Sequence, residues 1–397
     1  MKVLVTSSRL PSAIDEIRKL GRSGHHVLAA DTFAAAPDNH SRYVERAVVT
    51  PSPRAATGSF VDAVQRLVRE EEVELVLPAF EEVFYLAKVA GTLPATAKWF
   101  FSPFSTLATL HDKRSFAALA KDLGLGVPAW VVVESRADLH AALRDTPRYF
   151  AKPVYSRGGV QLLTNVGPLR GALDVDECAP SPQTPWIVQE FVEGKDVCSF
   201  SVVHAGRLSA HAAYVHPREI EHAGGIVFES VDEPECLRAA STIAEATRYQ
   251  GQLSLDFMKT SRGMVLIECN PRPTAGVHLL SAEQFDEALR DERAAKLRVV
   301  EPGVRGKYSA ALLRDMLLHW DEAKEDAKYL FSDAPELVAD PDDLLPAVYQ
   351  VISYGRVVAY RRHHQGAGTA HKNRDLMAAQ FEDISYDGQE IDLPPGS

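Results

Sequence analysis

The sequence predicts an α/β protein with more than one domain: a parallel-sheet, Rossmann-like unit, then a strand-rich α+β region, then a C-terminal α/β extension. Three observations predict it. Over the first ~110 residues short apolar runs alternate with helically spaced stretches, the pattern of strands joined by helical crossovers. Beyond Asp112 the chain turns to closely spaced strands. The length, 397 residues, is enough for two or three buried cores.

In the first unit Val3–Thr6 reads as a buried strand, and Pro11 opens a helix that runs to about Gly21. His26–Asp31 is a second strand, Phe60–Glu71 a helix, and Val73–Leu77 a strand stopped by Pro78. The first turn, Ser7-Ser8-Arg9-Leu10-Pro11, has no glycine that would let a pyrophosphate approach the backbone. Asp31 stands where a ribose-binding acid would, but without those glycines NAD and FAD are not expected. The fold is retained and the dinucleotide is dropped.

In the second region Asp112 is the expected N-cap of a helix through Leu123, closed by Gly124 and Pro128. Strands are expected at 130–133, 148–152, 160–164, 186–191, 196–203 and 207–215. A helix follows Pro234 to about Tyr249, and strands follow at 252–259 and 264–270. In the extension the pattern predicts a helix over Ala310–Tyr329, strands at Ala347–Ile352 and Arg356–Arg361, and a frayed Pro394–Ser397. There is no internal repeat or low-complexity tract.

Composition narrows the function classes. Hydrophobic residues at 46% and charged residues at 24% are ordinary for a globular chain. The N-terminal run is short enough to be a first strand rather than a leader, and no long apolar stretch predicts a membrane span. Cys178, Cys198, Cys236 and Cys269 are scattered without metal or redox spacing, so reduced thiols and a cytoplasmic setting are expected. Net charge is −11, from 43 basic and 54 acidic residues. The one basic run, Arg361-Arg362-His363-His364, is a poor footprint for nucleic acid, which is excluded as a partner.

Three segments carry chemistry. In Leu253–Arg272 two strands flank Ser261-Arg262-Gly263, where Gly263 suits the left-handed end of a three-residue hairpin loop. Closing the loop at 260 and 264 sets Asp256 opposite Glu268, and the strand period of two puts Asn270 on the same face. Two carboxylates and an amide oxygen aimed at one point are hard donors of the kind Mg²⁺ prefers. Cys269 faces the other way, into the core. In Tyr149–Val160 a strand delivers Lys152, Pro153 ends it, and Ser156-Arg157-Gly158-Gly159 forms a small loop whose N–H groups could cradle phosphate. In Ile187–Asp196 an apolar strand with Gln189, Glu190, Phe191 and Val192 leads through a turn to Asp196.

In this order and separation the three segments resemble the ATP-grasp superfamily. The branch they look closest to holds carbamoyl-phosphate synthase large-chain domains, biotin carboxylase and amino-acid ligases. The resemblance covers about residues 1–300. It implies a pre-ATP-grasp Rossmann-like domain (1–110) and an ATP-grasp domain (111–300) of two α+β subdomains, 111–185 and 186–300, with an extension at 301–397. It implies ATP and one or two Mg²⁺, replaceable by Mn²⁺. Lys113 and Lys152 match the family's nucleotide-binding lysines, Ser156, Gly158 and Gly159 its phosphate loop, and Gln189–Val192 its adenine hinge. Asp196 falls where the family often has a ribose-binding glutamate, one methylene longer. Asp256, Glu268 and Asn270 match the metal ligands, and Arg272 the arginine that holds substrate or the transferring phosphoryl group. Lys152, Arg272 and His278 are the catalytic candidates.

Substrate-facing candidates follow by position. Thr274 and His278 lie just past the metal hairpin; Glu81 follows a parallel strand, where α/β sheets place ligands. Arg218 and His222 precede Gly224-Gly225, where related ligases contact bicarbonate or the acceptor. The expectation is a carboxylate–amine ligase working through an acyl phosphate on small-molecule substrates, with an extension that closes the substrate pocket or builds a homodimer interface. The alternatives are a bicarbonate- or thiol-using ligase and a non-catalytic ATP-binding regulator.

Overall fold

The computed structural model describes residues 1–157, 161–220, 224–365 and 380–391. The chain is mixed α/β, built on three sheets. The first contains β1 (Lys2–Thr6), β2 (His26–Asp31), β3 (Val44–Val49), β4 (Leu75–Pro78) and β5 (Lys98–Trp99), in the order β3-β2-β1-β4-β5. Every pairing in it is parallel, as the alternating pattern requires. Helices α1 (Pro11–Arg22), α2 (Thr57–Glu70) and α3 (Glu82–Lys88) cover it. Pro11 starts α1 where a missing N–H costs nothing, and Gly24, at φ 80°, follows its end. Ile14, Ile17 and Leu20 lie on one buried face of α1, each worth about 2 kcal/mol of burial.

Helices α4 (Phe104–His111) and α5 (Lys113–Asp122) lead into a four-stranded antiparallel sheet. Its strands are β6 (Trp130–Val133), β7 (Tyr149–Pro153), β8 (Leu163–Thr164) and β9 (Trp186–Glu190), ordered β6-β9-β7-β8. Helix α6 (Arg136–Asp145) packs on it and shares a small separate core of Val133, Leu139, Ala151, Trp186 and Val188. Asp112 caps α5 as expected, accepting from Ser115 N–H at 2.8 Å.

The third sheet has seven strands: β10 (Lys195–His204), β11 (Arg207–Ile220), β12 (Gly224–Ser230), β13 (Gly251–Thr260), β14 (Gly263–Asn270), β15 (Arg298–Val299) and β16 (Arg305–Lys307). Helices α7 (Pro234–Thr247) and α8 (Ala282–Arg290) accompany it. The β13–β14 hairpin closes one residue tighter than the sequence reading, pairing Thr260 with Gly263. A bulge between the Phe257–Leu266 and Asp256–Glu268 pairs restores the missing residue, so Asp256 still faces Glu268.

The extension departs further from expectation. The single helix over 310–329 is two, α9 (Ser309–Leu318) and α10 (Ala323–Leu330). The strands expected at 347–352 and 356–361 are instead parts of one helix, α11 (Leu345–Gln365). Its run of Val348, Val351 and Ile352 imitates a strand, but its own i→i−4 bonding and the stacking of Tyr349 on His40 at 3.3 Å override that propensity. No described helix is long and apolar enough to cross a membrane.

Two ties bring the C-terminal region back onto the first domain. Arg18 of α1, buried, donates to Asp343 Oδ2 at 2.9 Å and to the carbonyls of Leu337, Val338 and Asp343. Arg9, in the turn after β1, meets Asp31 at 2.7 Å and Asp383 at 2.8 Å. Asp31, the acid at the dinucleotide position, is thus occupied by an arginine and by the N–H of Phe33.

Candidate active site

A cavity of about 490 Å³ opens between the four- and seven-stranded sheets. Lys152 from β7, Gln189 and Glu190 from β9, Phe191, Val192, Asp196 from β10, and Asp256 and Glu268 from the β13–β14 hairpin all line it. Residues separated by more than a hundred positions therefore meet because two antiparallel sheets face each other across one gap.

At its floor the charges are tightly placed. Lys152 Nζ donates to Glu268 Oε2 at 2.7 Å, and Lys113 Nζ lies 3.7 Å from the same oxygen. Lys113 occupies the first turn of α5, where the helix dipole is unfavourable for a cation. It is held by the Ser156 carbonyl, to which Nζ donates at 2.7 Å, and by Glu268. Burial pushes Lys113 down to about 8. Burial would raise Glu268, but Lys113 and Lys152 hold it below the usual carboxylate range. Asp256 shifts the opposite way, upward, through burial and the neighbouring Glu268.

Asn270 joins this group by donating through Nδ2 to Asp256 Oδ2 at 3.1 Å. Its Oδ1 accepts from Arg272 Nη2 at 3.2 Å. The Arg272 guanidinium carbon sits 4.4 Å from the centre of the Phe80 ring, and its Nε is 3.7 Å from Glu81. Burial lowers its pKa from the ordinary arginine value. Two carboxylates lining an open cavity are hard-oxygen donors of the kind Mg²⁺ takes, and Asn270, whose Oδ1 faces Arg272 here, would add its amide oxygen by turning its side chain over. The raised Asp256 marks a pair of acids whose mutual repulsion a cation would relieve.

The remaining candidates lie in three surroundings. Thr274 Oγ1 sits within 3.1 Å of Tyr214 OH and donates to Ser254 Oγ at 3.0 Å, just behind the hairpin. His278 is buried at the junction with α1, bonded to Tyr308 OH at 2.8 Å with Nδ1 3.4 Å from Asp15. It does not line the cavity, and Lys113, Asn270, Arg272, Thr274 and Glu81 stand behind its lining too, all but Thr274 linked to it through Glu268, Asp256 or one another. Glu81, fully buried, takes two hydrogen bonds from Arg157 and Tyr386 N–H. Burial raises Glu81, but Arg157, His111 and Arg272 bring it down to about 2.

Arg218 is turned from the cavity. The β11–β12 register breaks on both sides of it, which rotates its side chain toward the extension. There it meets Asp315 at 2.8 Å, Glu322 at 2.5 Å and Asp326 at 2.5 Å. His216 and Glu219 line the cavity instead. A Cβ at Gly225 would come within 2.2 Å of the His216 ring, so glycine there makes room for it. Gly158, Gly159 and His222 lie outside the described residues. Ser156 is placed by its backbone, whose carbonyl holds Lys113.

Sequence reasoning missed Arg157, His216 and Glu219. The bulges that turn β11 have no sequence signal. Arg157 stood inside the phosphate-loop motif, but nothing local revealed partners as remote as Glu81, Tyr386 and Asp387.

Comparison with known proteins adds to this geometry. A family model described as an ATP-grasp domain matches residues 110–276. The arginine-specific large chain of carbamoyl phosphate synthase from Eremothecium gossypii is 26% identical over 187 residues, 43% of this chain and 17% of that protein. The chain therefore spans about a sixth of the length of that curated relative. Among solved structures, an ADP complex of N5-carboxyaminoimidazole synthetase from Staphylococcus aureus superposes with a TM-score of 0.61 at 13% identity, over 82% of this chain and 86% of that one. The phosphoribosylamine–glycine ligase of Thermotoga maritima gives 0.59 at 14%, over 77% and 78%. The L-amino acid ligase of Bacillus licheniformis gives 0.54 at 16%, over 76% and 77%. At these identities the structural likeness carries the fold.

Proposed function

We propose that this chain, which carries an ATP-grasp domain over residues 110–276, is an ATP-dependent ligase joining a small-molecule carboxylate to an amine with release of ADP and phosphate. The observation that carries the reading is the convergence on Glu268 of two lysines from different elements, opposite Asp256 and beside Asn270 and Arg272.

A carboxylate is a poor electrophile because its charge resists attack. Transfer of the γ-phosphoryl group from ATP forms an acyl phosphate and ADP. The amine then adds to the acyl carbon, phosphate departs with the C–O electron pair, and the amine proton passes to solvent. The protein's task is positioning and charge neutralisation rather than covalent chemistry. Lys113 and Lys152 offset the phosphate charge. Gln189–Val192 receives the adenine: the Glu190 and Phe191 N–H groups already donate to Ala129 and Arg148, which leaves Val192 and the carbonyl edge to read the base. Asp196, on the cavity wall, reaches the ribose. Asp256, Glu268 and Asn270 would hold one or two Mg²⁺, which when bound neutralises and orients phosphate oxygens. Arg272, held by Phe80 and Asn270 behind the Glu268 end of the cavity, would reach the transferring group by turning out of that seat.

Arg218 favours an amine acceptor over bicarbonate, since three carboxylates already surround the cation that would attract an anion. The test is hydroxylamine trapping with Mg·ATP and pooled amino and organic acids. ADP with a new hydroxamate that disappears in Glu268→Ala is the expected result. AMP with pyrophosphate would replace phosphoryl transfer by adenylation, and ATP binding without turnover would favour a regulatory protein.

A further inference from the structure

We propose that the C-terminal segment 384–391 is a working part of this site, with Asp387 a positioning residue that sets Lys113 and Arg272 through Arg157. The inference rests on the ligase reading of the site.

The segment lies across Tyr155–Arg157, the stretch that follows β7 and its Lys152. Arg157 Nη2 donates to Asp387 Oδ1 at 2.5 Å and to the Tyr386 carbonyl at 3.0 Å. Gly388, at φ 78°, packs so close to Tyr155 that a Cβ there would stand 2.2 Å from the ring. The Tyr155 and Tyr386 rings meet edge to face at 5.8 Å. The segment has its own anchor: Tyr85 OH donates to the Ser385 carbonyl at 2.7 Å and accepts from Gln389 at 2.9 Å. Its seat is therefore independent of the Arg157 contact.

Two routes lead from this clasp to the reacting groups. The residue before Arg157, Ser156, offers the carbonyl that fixes Lys113 Nζ at 2.7 Å. Glu81 is shared: Arg157 reaches its Oε2 at 2.9 Å, while Arg272 Nε stands 3.7 Å from its Oε1. With Asp387 present, Arg157 divides its donors between two acids. Without it, Arg157 keeps Glu81 and the Tyr386 carbonyl and draws the Glu81 carboxylate from Arg272, while Tyr155–Arg157 loosens and Lys113 loses its seat; Arg54, 2.6 Å from the other Asp387 oxygen, loses a partner nearer the surface. A charge placed by such a relay matters because small displacements at a phosphoryl-transfer site are costly.

The experiment compares Asp387→Ala, Asp387→Glu and Tyr85→Phe in the full chain. Asp387→Ala is expected to lower kcat about tenfold to a hundredfold while KM for ATP moves less than about threefold. Asp387→Glu should recover most of the loss. Tyr85→Phe, which loosens only the anchor, should lower the melting temperature with kcat nearly unchanged. A second readout needs no turnover: labelling of Lys113 by an amine-reactive reagent, followed by peptide mass spectrometry, should rise severalfold in Asp387→Ala. If Asp387→Ala instead behaves as Tyr85→Phe does, with lower stability and unaltered kcat and labelling, the segment is a structural staple and the proposal falls. If Asp387→Ala does not fold, the isosteric Asp387→Asn decides in its place: a relay predicts lowered kcat and raised Lys113 labelling when the charge facing Arg157 is removed, and a staple predicts neither. Wild-type protein without turnover, but with Lys113 labelling still governed by Asp387, would overturn the ligase reading and leave the relay standing.

Discussion

Two clusters of buried charge in this molecule are resolved in opposite ways. Around Arg9 and Arg18 every cation has its acid: Arg9 lies between Asp31 and Asp383, and Arg18 faces Asp343 and three backbone carbonyls. Burial works against the Arg9 guanidinium, yet Asp31 and Asp383 hold its pKa above the ordinary value. At the cavity floor the balance is uneven. Lys113 is pushed down by burial, Arg272 likewise, and Asp256 is pushed up. Each of these groups is held nearer neutrality than it would be in water. In the first cluster the cations are matched and burial falls on the acids, raising Asp31 and Asp38; at the cavity floor it falls on the cations as well, where bound phosphates and a metal ion would complete the balance.

Glu268→Ala should leave a folded protein whose ADP-forming turnover drops by about a thousandfold, a loss of the size seen when a preorganised charge is removed. Turnover that survives would move Glu268 into the structural class. In the matched cluster Arg18→Met should act on stability instead, lowering unfolding free energy by about 3–5 kcal/mol by stranding Asp343. Urea unfolding would measure this, and turnover per folded molecule should be unchanged.

Acid sharpens the contrast. Burial lowers His111 and His211 to about 4 each; for His111 the nearby Glu81 opposes the shift and Lys113 adds to it. An unfolded histidine titrates near 6.5, so between pH 6.5 and 4 the unfolded chain binds protons that the folded chain does not. Stability should therefore fall as the pH is lowered across that window, by up to about 3 kcal/mol per histidine. Unfolding midpoints against pH should show it, and His211→Gln should remove one proton's worth of slope. Glu81 and Asp15, both held down to about 2, extend the loss to lower pH as they protonate. The smallest effect is expected from Asp196→Glu, which restores one methylene at the cavity wall and should change ATP affinity by less than about threefold. A larger gain would show that the ribose contact had been incomplete.

Much of this was legible where the relevant physics is local. The period of a strand set Asp256, Glu268 and Asn270 on one face, and the N-cap at Asp112 placed Lys113 in a first turn. The hairpin reading reached the correct pairing by a loop one residue too long, which a bulge at Ile267 offsets. A strand-like run misled at 347–352, because Val348, Val351 and Ile352 have the same composition in either state. Arg218 was assigned to the cavity because bulges leave no mark in sequence. Arg157 and Asp387 stayed hidden for a simpler reason: 230 residues separate them, and only the tertiary fold makes them neighbours.

The arginines of the first domain also bear on the order of events in folding. Arg9 and Arg18 lie in the opening turn and first helix, yet Asp383 and Asp343, which neutralise them, come more than 300 residues later. A first domain that collapses early must bury these cations with part of their partners missing, at a cost of several kcal/mol. Closing such loops is slow, because chain entropy is spent before the contact repays it. The parallel sheet is thus expected to stay dynamic until the distant segments dock, and its consolidation should be a late step shared by the whole chain.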